Sequence, residues 1–351
     1  MKLIHCADIH LDAPLSAVFS DGRATAYRRA VLTNFAALVE LADQSRADAL
    51  LIAGDLFDSD EPSEQTVSYV LSLFAEHPAL PIFYLSGNHD SGGLGGRRDL
   101  PKNLHPFGRD WTYYRIGDLT VAGGSAPDPD RLELPRDGFN IVLLHGQING
   151  TGTDEYGIPL SHLRGKNIDY LALGHLHTYR EERIDSRAVA CYSGCLMGRG
   201  FDECGRKGYV LLETVNSRLT HRFVPFASRT FHAVTLDIGD RSAPRALELA
   251  AREATAQIPR EDFCLLTLRG AVSPDALPDV PGLAAALEGR FGLLRIRNET
   301  SLAVDPRDYE NDISLKGEFI RRVLSSELSE KEKDRIIACG LRALRGEEVT
   351  E

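Results

Sequence analysis

The amino-acid sequence predicts an α/β fold, and three observations support this prediction. Short apolar runs alternate with segments of helical periodicity up to about residue 180. Several of these runs end in polar motifs, at the points where strands should give way to loops. Beyond that region the runs follow one another closely, which predicts a second, more antiparallel sheet. With 351 residues, the chain is long enough for one large core and a smaller second unit.

The first part of the chain is predicted to contain buried strands separated by helices. The strands are expected at Lys2–Cys6, Ala49–Ala53, Ile82–Ser86, Ile141–Leu144 and Tyr170–Leu173. Apolar residues recur at helical spacing between Val31 and Ala42 and again within Ser63–Phe74. The more antiparallel strands are expected at Val189–Ser193, Tyr209–Glu213 and Leu219–Phe226.

A change in composition at Ala227–Thr230 predicts the start of a small α+β unit. Its expected elements are a strand at Phe231–Ile238, a helix at Pro244–Gln257, a strand at Phe263–Arg269, a loop at Ser273–Pro281, a helix at Leu283–Phe291 and a strand at Leu293–Arg297. The tail from Ser314 to Arg345 is predicted to form two amphipathic helices, the second with a capping box made by Ser329 and Glu332. We therefore expect domains at 1–226 and 231–305, followed by a helical segment at 312–346.

Five polar motifs carry the chemistry of this sequence. They are Asp8-x-His10, Gly54-Asp55-Leu56-Phe57-Asp58, Gly87-Asn88-His89-Asp90, His145-Gly146 and Gly174-His175-Leu176-His177. Each lies at or near the end of a predicted strand, and parallel neighbouring strands would bring all five to one edge of the sheet. The set offers carboxylate, amide and imidazole ligands for two metal ions, with one imidazole to spare.

The ligand types restrict the metal. Carboxylates, an amide oxygen and several imidazoles suit Mn(II), Fe(II) or Zn(II), whereas an all-oxygen site for Mg or Ca would not need them. Two ions bridged by a carboxylate are typical of phosphoryl-transfer sites, where they acidify a water and stabilise charge on phosphate oxygens. A free imidazole near the leaving oxygen can act as general acid, and His89 is the natural candidate.

Charge and cysteine content restrict the function classes. The net charge of −11 argues against a polyanion-binding protein that relies on bulk charge, although a local basic groove or a metal centre could still bind DNA. The six cysteines form no CxxC pair, which favours a reduced, cytoplasmic environment. Cys191, Cys195 and Cys204 raise the alternative of a zinc site, but their irregular spacing favours buried thiols. No apolar run approaches the length of a membrane span, and Asp8 interrupts any signal-peptide core.

Taken together, the motifs resemble those of the calcineurin-like metallophosphoesterase superfamily. The opening Lys-Leu-Ile-His-Cys-Ala-Asp-Ile-His-Leu-Asp, the Gly-Asp-Leu-Phe, the Gly-Asn-His-Asp and the Gly-His-Leu-His are similar to those of bacterial SbcD-like and YhaO-like DNA repair exonucleases. Tyr192-Ser193-Gly194, Gly198-Arg199 and Lys207-Gly208 extend the likeness. It covers residues 1–226 well, whereas the small domain and the tail match only in layout.

The resemblance implies a fold, a site and partners. The fold would be a double β-sandwich flanked by helices, with the small unit as a cap over DNA and the C-terminal helices docking an SbcC-like coiled-coil ATPase. One metal ion would be held by Asp8, His10 and His177, the other by Asn88, His145 and His175, with Asp55 as the bridge and His89 as the proton donor. The expected metal is Mn(II), the expected substrate is DNA, and a homodimer is implied by family analogy.

Several positions leave alternatives open. SbcD-type nucleases have His after Gly-Asp-Leu-Phe, whereas this chain has Asp58, as in the YhaO-like branch and many small-substrate phosphoesterases. Asp58 and Asp90 are expected to hydrogen-bond metal ligands rather than to bind metal. Arg97, Arg98 and Arg199 could contact a phosphate backbone or could be solvated loop residues.

Three functions therefore compete. The first is a metal-dependent DNA exonuclease or endonuclease that works in DNA repair with an ATPase. The second is a phosphoesterase for nucleotides or other small phosphodiesters, which Asp58 and the acidic charge favour. The third is a scaffold protein, which the tail helices suggest but which has no need of a complete ligand set. We expect the first.

Overall fold

The structure is a computed structural model that describes residues 1–92, 94, 97–148, 157–216, 218–239, 241, 243–274, 276–344 and 346. The chain divides into two compact units, Met1–Thr230 and Phe231–Glu351. In the first unit the helices are α1 (Asp21–Gln44), α2 (Glu64–Glu76) and α3 (Leu160–Leu163). Its strands are β1 (Lys2–Cys6), β2 (Ala49–Ala53), β3 (Ile82–Leu85), β4 (Leu104–Pro106), β5 (Thr112–Ile116), β6 (Leu119–Gly123), β7 (Phe139–His145), β8 (Gln147–Ile148), β9 (Gly157–Ile158), β10 (Tyr170–Gly174), β11 (Arg180–Arg183), β12 (Val189–Tyr192), β13 (Gly208–Val215) and β14 (Arg218–Pro225).

Two large mixed sheets form the core of the first unit. One has the strand order β14-β13-β1-β2-β3-β4, and the other has the order β11-β12-β10-β7-β6-β5. Leu3 and Leu51 of the first sheet belong to the same buried cluster as Leu143 and Ala172 of the second, so the sheets pack face to face. The predicted α/β class is confirmed. Strands β1, β2 and β3 are continuous apolar runs because both faces of their sheet are buried.

The sandwich corrects the expectation that all five motifs lie at one edge of a single sheet. Strands β1, β2 and β3 are parallel neighbours in one sheet, whereas β7 and β10 are parallel neighbours in the other. Their carboxyl ends approach one another across the two packed sheets. Strand β5 was not predicted, because its exposed residues Tyr113, Arg115 and Ile116 give it little apolar signal.

The second unit is built on a parallel sheet with the strand order β15-β16-β18. Its strands are β15 (Phe231–Asp237), β16 (Phe263–Arg269), β17 (Ala271–Val272), β18 (Leu293–Asn298) and β19 (Ser301–Leu302). Its helices are α4 (Pro244–Ala254), α5 (Val280–Ala286), α6 (Leu315–Leu324) and α7 (Glu330–Leu344). Leu247 of α4 and Leu283 of α5 share a buried cluster with Leu266 of β16, so both helices cover the sheet.

The predicted helix at Leu283–Phe291 is wrong in position. Helix α5 begins at Val280 and ends at Ala286. Asp279 caps it by accepting a hydrogen bond from the backbone N–H of Gly282 at 2.9 Å. Pro281 suits the first turn, where its missing N–H costs nothing. These two start signals outweigh the apolar spacing further along.

The tail helices pack against each other inside the second unit. Ile320 and Val323 of α6 and Ile337 and Leu341 of α7 form a buried cluster. The capping box is present, since the Glu332 carboxylate accepts from the Ser329 backbone N–H at 2.9 Å. The apolar spacing of the sequence places Leu315 on the apolar face of the first tail helix, and Ile336 and Leu344 on that of the second, but all three side chains are exposed.

Candidate metal centre

The loops after β1 and β2 run side by side and place the first two motifs together. The backbone N–H of Asp8 donates to the Gly54 carbonyl at 3.1 Å, and that of His10 donates to the Asp55 carbonyl at 3.0 Å. Asp8, His10 and Asp55 have φ values of 52°, 49° and 51°, in the left-handed region that side chains rarely adopt. Such strain persists only where surrounding contacts impose it, and it concentrates at functional sites.

Glycine is required in two of the motifs because other motif residues pack against it. Gly54 has a φ of 95°, and a Cβ atom there would overlap the imidazole of His145. A Cβ atom on Gly87 would overlap the carboxylate of Asp55. The glycines therefore allow loops from separate strands to approach closely enough for their polar side chains to meet.

One group of converging side chains consists of Asp8, His10 and His177. One ligand atom from each lies within 4.8 Å of the other two. The Nε2 atoms of His10 and His177 are 3.2 Å apart. Asp8 is anchored through Oδ1, which accepts from the backbone N–H of His175 at 2.8 Å.

A second group lies on the other side of Asp55. His145 Nε2 is 2.9 Å from Asn88 Oδ1, and His175 Nδ1 is 3.3 Å from the same oxygen. Asp55 Oδ2 lies between the groups, 3.4 Å from His145 Nε2 and 3.7 Å from His10 Nε2. This is the position that a bridging carboxylate would occupy between two ions.

The donor set fits divalent metal ions. Asp8 is 1% exposed, and its Oδ2 atom is buried with no hydrogen-bond partner among the described residues. An unpaired buried carboxylate oxygen costs free energy unless a cation or a donor binds it. A metal ion placed among Asp8, His10 and His177 would satisfy this oxygen and separate the two facing imidazole nitrogens.

His89 lies at the exposed rim of the site. Its backbone N–H donates to Asp55 Oδ1 at 2.9 Å, and its ring centroid is 5.0 Å from that of His10. His89 also forms a candidate ligand group with His10 and Asp58, within the same 4.8 Å limit. Its imidazole is thus close to the predicted ligands and exposed to solvent.

The two carboxylates expected to support the ligands have different partners. Asp58 Oδ1 lies 2.8 Å from His10 Nδ1, so it contacts a predicted metal ligand directly. Asp90 is fully buried and accepts from the backbone N–H of Leu56 at 2.9 Å, that of Gly87 at 2.6 Å and the Tyr84 hydroxyl at 2.9 Å. Asp90 therefore shapes the loops after β2 and β3 rather than touching an imidazole.

Sequence reasoning missed Glu203. Its Oε1 atom is 2.7 Å from His177 Nδ1, which is the same relation that Asp58 has to His10. Glu203 lies in the loop after β12, where neighbouring apolar and glycine residues dominate the pattern. Its spacing of four residues from Arg199, with which it forms an ion pair, was the available signal.

Neighbouring acidic and basic side chains of the site stabilise each other's charged forms. Burial raises the pKa of Asp55, but the hydrogen bond from His145 and the charges of His145 and His10 lower it by more, to about 2. For His145, burial lowers the pKa, while Asp55 and Asp8 raise it by more. The pKa of Glu203 also falls to about 2, since His177 and Arg199 outweigh its burial. These ionised carboxylates at neutral pH favour a cation.

The three predicted phosphate contacts differ in their surroundings. Arg97 pairs with Glu64 at 3.1 Å, and Arg199 pairs with Asp58 at 2.9 Å. Arg98 is exposed and has no hydrogen bond or ion pair with the described part of the chain. Phosphate binding by Arg97 or Arg199 would thus compete with existing ion pairs, and the predicted contacts stay predictions.

Histidines outside the motifs have other surroundings. Partners or neighbours lie within hydrogen-bonding or stacking distance of each: Tyr170 for His5, Asp43 for His77, Phe83 for His105, Asp130 for His162, Glu181 for His221 and Asp262 for His232. Over the described ranges, the groups able to hold a metal contain none of these histidines and no cysteine. All six cysteines are free thiols.

Comparison with known proteins identifies the family. The model of the calcineurin-like phosphoesterase family matches residues 1–179, which include all five motifs. The chain belongs to this family. The phosphoesterase thus has the hydrolase class that its motifs predicted, and the residues that the family match spans include the candidate groups for divalent metal.

Two curated relatives are similar to this phosphoesterase at modest identity. The uncharacterized metallophosphoesterase YhaO of Bacillus subtilis is 25% identical over 306 residues, covering 80% of this chain and 74% of YhaO. The SbcD component of the nuclease SbcCD of Staphylococcus saprophyticus is 24% identical over 269 residues, covering 64% of this chain and 69% of that component. The expected resemblance is confirmed. The solved structure of TT1561 of Thermus thermophilus covers 63% of this chain and 98% of its own, with a TM-score of 0.42 and 16% identity.

Among the described residues, no helix has the length and apolar character needed to cross a membrane.

Proposed function

We propose that this phosphoesterase is a metal-dependent DNA exonuclease or endonuclease that acts in DNA repair. In this proposal Asp8, His10 and His177 bind one metal ion, Asn88, His145 and His175 bind another, and Asp55 bridges them. The observation that carries it is the placement of Asp55 Oδ2 between the two groups, 3.7 Å from His10 Nε2 and 3.4 Å from His145 Nε2. Two ions bridged in this way suit in-line hydrolysis of a phosphodiester.

The chain's own residues supply positioning and proton transfer. When bound, the metal ions acidify a water and stabilise charge on the attacking and leaving oxygens. Asp55 is fixed by the backbone N–H of His89 at 2.9 Å, and Asp8 by that of His175 at 2.8 Å. In this proposal the imidazole of His89, which is exposed, holds a phosphate oxygen and gives a proton to the leaving oxygen.

Mn(II) is the proposed metal, with Fe(II) and Zn(II) as the other ions that this donor set suits. The mixture of carboxylate, amide and imidazole ligands around Asp55 favours ions of intermediate softness over Mg or Ca. The metal-ligand histidines would bind as neutral imidazoles, so metal affinity should fall as the pH decreases.

DNA as substrate and an SbcC-like ATPase as partner rest on the motif subtype and on the SbcCD nuclease relative. Residues 231–305 would act as a cap domain, and residues 312–346 would dock the ATPase. Ile313 is 99% exposed and Leu315 is 71% exposed, so this segment offers apolar side chains to a partner. A homodimer and a cytoplasmic location belong to the same proposal.

A phosphoesterase for nucleotides or other small phosphodiesters is the second candidate. The observation that favours it is that Arg97 and Arg199 are engaged by Glu64 and Asp58. Cations held in this way are less available to a DNA backbone, whose binding depends on phosphate contacts.

Cleavage of linear single- and double-stranded DNA with Mn(II), beside bis(p-nitrophenyl) phosphate, tests the proposal. Asp55→Asn keeps the size of the side chain and is the negative control for metal-dependent activity. Cleavage of DNA by the wild-type protein but not by Asp55→Asn would support the nuclease. Hydrolysis of the small diester together with no DNA binding at moderate salt would favour the second candidate instead.

A further inference from the structure

At one of the two proposed metal positions, the ligand histidines are themselves held by other side chains. His10 and His177 each present Nε2 to that position, at 3.2 Å from each other. Each also has Nδ1 against a carboxylate, Asp58 at 2.8 Å for His10 and Glu203 at 2.7 Å for His177. A carboxylate at Nδ1 favours the tautomer whose Nε2 lone pair is free to bind metal.

Arg199 joins these two carboxylates. Its Nη1 lies 2.9 Å from Asp58 Oδ1, and its Nε lies 3.2 Å from Glu203 Oε1. Its Nη2 lies 3.2 Å from His177 Nδ1. Two of the three guanidinium nitrogens thus face carboxylates that contact a predicted ligand, and the third lies beside the ring of His177. We call Asp58, Arg199 and Glu203 the clamp.

Glu203 is itself fixed at both oxygens. While Oε1 faces His177 and Arg199, Oε2 accepts from the backbone N–H of Arg199 at 2.8 Å and from the Cys195 thiol at 3.7 Å. The carboxylate cannot rotate without losing these bonds. The loop after β12 therefore fixes His177, which follows β10. Through Arg199 the same loop also contacts Asp58, which follows β2.

The other proposed metal position is held differently. His145 Nδ1 lies 3.0 Å from the backbone carbonyl of Ala53, which is neutral and already fixed by strand β2. The guanidinium bridge is thus specific to the position of His10 and His177. Removal of the bridge should affect one metal ion and leave the other in place.

We propose that Arg199 and Glu203 are positioning residues that fix the imidazoles of His10 and His177 for one metal ion. This inference rests on the proposed function, because it assumes that the two imidazoles bind metal. The role it gives to Arg199 differs from a phosphate contact. In the clamp, the guanidinium neutralises and orients two carboxylates, since Arg presents a rigid fork that matches paired acceptors.

Binding of Mn(II) to the full chain tests the clamp. The variants are Arg199→Lys, which keeps the charge but loses the fork, and Glu203→Gln, which keeps the size but loses the charge. Titration calorimetry with Mn(II) chloride should show one of two affinities reduced about 10–100-fold, as for other groups that orient metal ligands. The other affinity should stay that of the wild-type protein.

Matched controls exist elsewhere in the first unit. Arg187 pairs with Asp169 at 2.8 Å, with a side chain that is 33% exposed against 27% for Arg199. Glu181 pairs with His221 at 2.8 Å. Arg187→Lys and Glu181→Gln should therefore bind Mn(II) as the wild-type protein does. Thermal unfolding of the metal-free variants checks that each one folds.

Steady-state kinetics separate the clamp from a phosphate contact. If the clamp orients the ligands of one metal ion, Arg199→Lys should turn over bis(p-nitrophenyl) phosphate slowly at limiting Mn(II). Its turnover should recover as the Mn(II) concentration is raised, and its KM for the diester should be unchanged. A raised KM that excess Mn(II) does not correct, with both Mn(II) affinities intact, would overturn the clamp. Wild-type protein that binds two Mn(II) ions yet hydrolyses no phosphodiester would instead contradict the proposed function and leave the clamp standing.

Discussion

The Nε2 atoms of His10 and His177 lie 3.2 Å apart, although 167 positions separate the two residues in the sequence. Each ring is buried or half-buried, and each is held at Nδ1 by a carboxylate. A carboxylate at Nδ1 favours the proton on that atom in both rings, which leaves the two Nε2 lone pairs facing each other, an arrangement that a cation between them would stabilise. The relationship therefore indicates a metal site assembled from distant loops.

Metal binding should stabilise the folded chain, and His177 should be needed for the full effect. A ligand that binds only the folded state adds about 2.7 kcal/mol at a concentration 100 times its dissociation constant. We expect Mn(II) to raise the melting temperature of the wild-type protein and to raise it less in His177→Ala. The exposed His162 provides the control, because His162→Ala should respond to Mn(II) as the wild-type protein does.

Substitution of His89 should separate catalysis from metal binding. Loss of a general acid lowers turnover by about 10²–10⁴-fold, so His89→Ala should lose most of its kcat for a phosphodiester. Its Mn(II) affinity should change little, because the proposed ligands stay in place. His77→Ala removes a histidine that pairs with Asp43 away from the motifs and should keep full activity. An active His89→Ala enzyme would remove this residue from the mechanism.

Gly87 should not tolerate even a methyl group. A Cβ atom there would overlap the Asp55 carboxylate, which we propose as the metal bridge. We expect Gly87→Ala to weaken Mn(II) binding and to lower the melting temperature. Gly22→Ala is the matched control, since a Cβ atom at that position has no described neighbour within 4 Å. Equal Mn(II) affinities in the two variants would show that the close approach to Asp55 is unimportant.

The buried histidine of β1 should make stability depend on pH. Burial is the main reason that the pKa of His5 is lowered to about 3, from 6.5 in an unfolded chain. Between these values the unfolded state binds a proton that the folded state does not, so stability is present above pH 6.5 and is lost as the pH falls towards 3. The loss should reach about 2 kcal/mol at pH 5.

Urea unfolding at several pH values measures this effect in the wild-type protein and in His5→Gln. Other titrating groups contribute equally to both proteins, so the difference between their pH dependences isolates His5. The variant should lose less stability between pH 7 and pH 5 than the wild-type protein does. Parallel curves would mean that His5 is protonated inside the folded chain or titrates normally.

The motif residues could be predicted from sequence because local pattern and chemistry coincide there. Asp8, Asp55 and His145 each follow an apolar run whose burial as a strand is dictated by composition. The residue types alone then indicate metal binding. The same reasoning placed the motifs in one sheet, because strand periodicity carries no information about which sheet a strand joins.

Glu203 and the role of Arg199 could not be predicted in this way. Both lie in an irregular loop, and their meaning depends on contacts with Asp58 and His177, which come from other strands. The position of helix α5 was misjudged for a local reason, since Pro281 and the cap at Asp279 set its start more strongly than apolar spacing did. Long-range polar contacts are thus the part that sequence patterns leave out.

The most direct test of the account follows hydrolysis of bis(p-nitrophenyl) phosphate while Mn(II) is added to metal-free protein in known equivalents. A site bridged by Asp55 needs both ions, so the rate should stay low over the first equivalent and reach its maximum near the second. Asp55→Asn should stay inactive throughout. A rate that is maximal after a single equivalent, or that is high without metal, would contradict the two-metal centre.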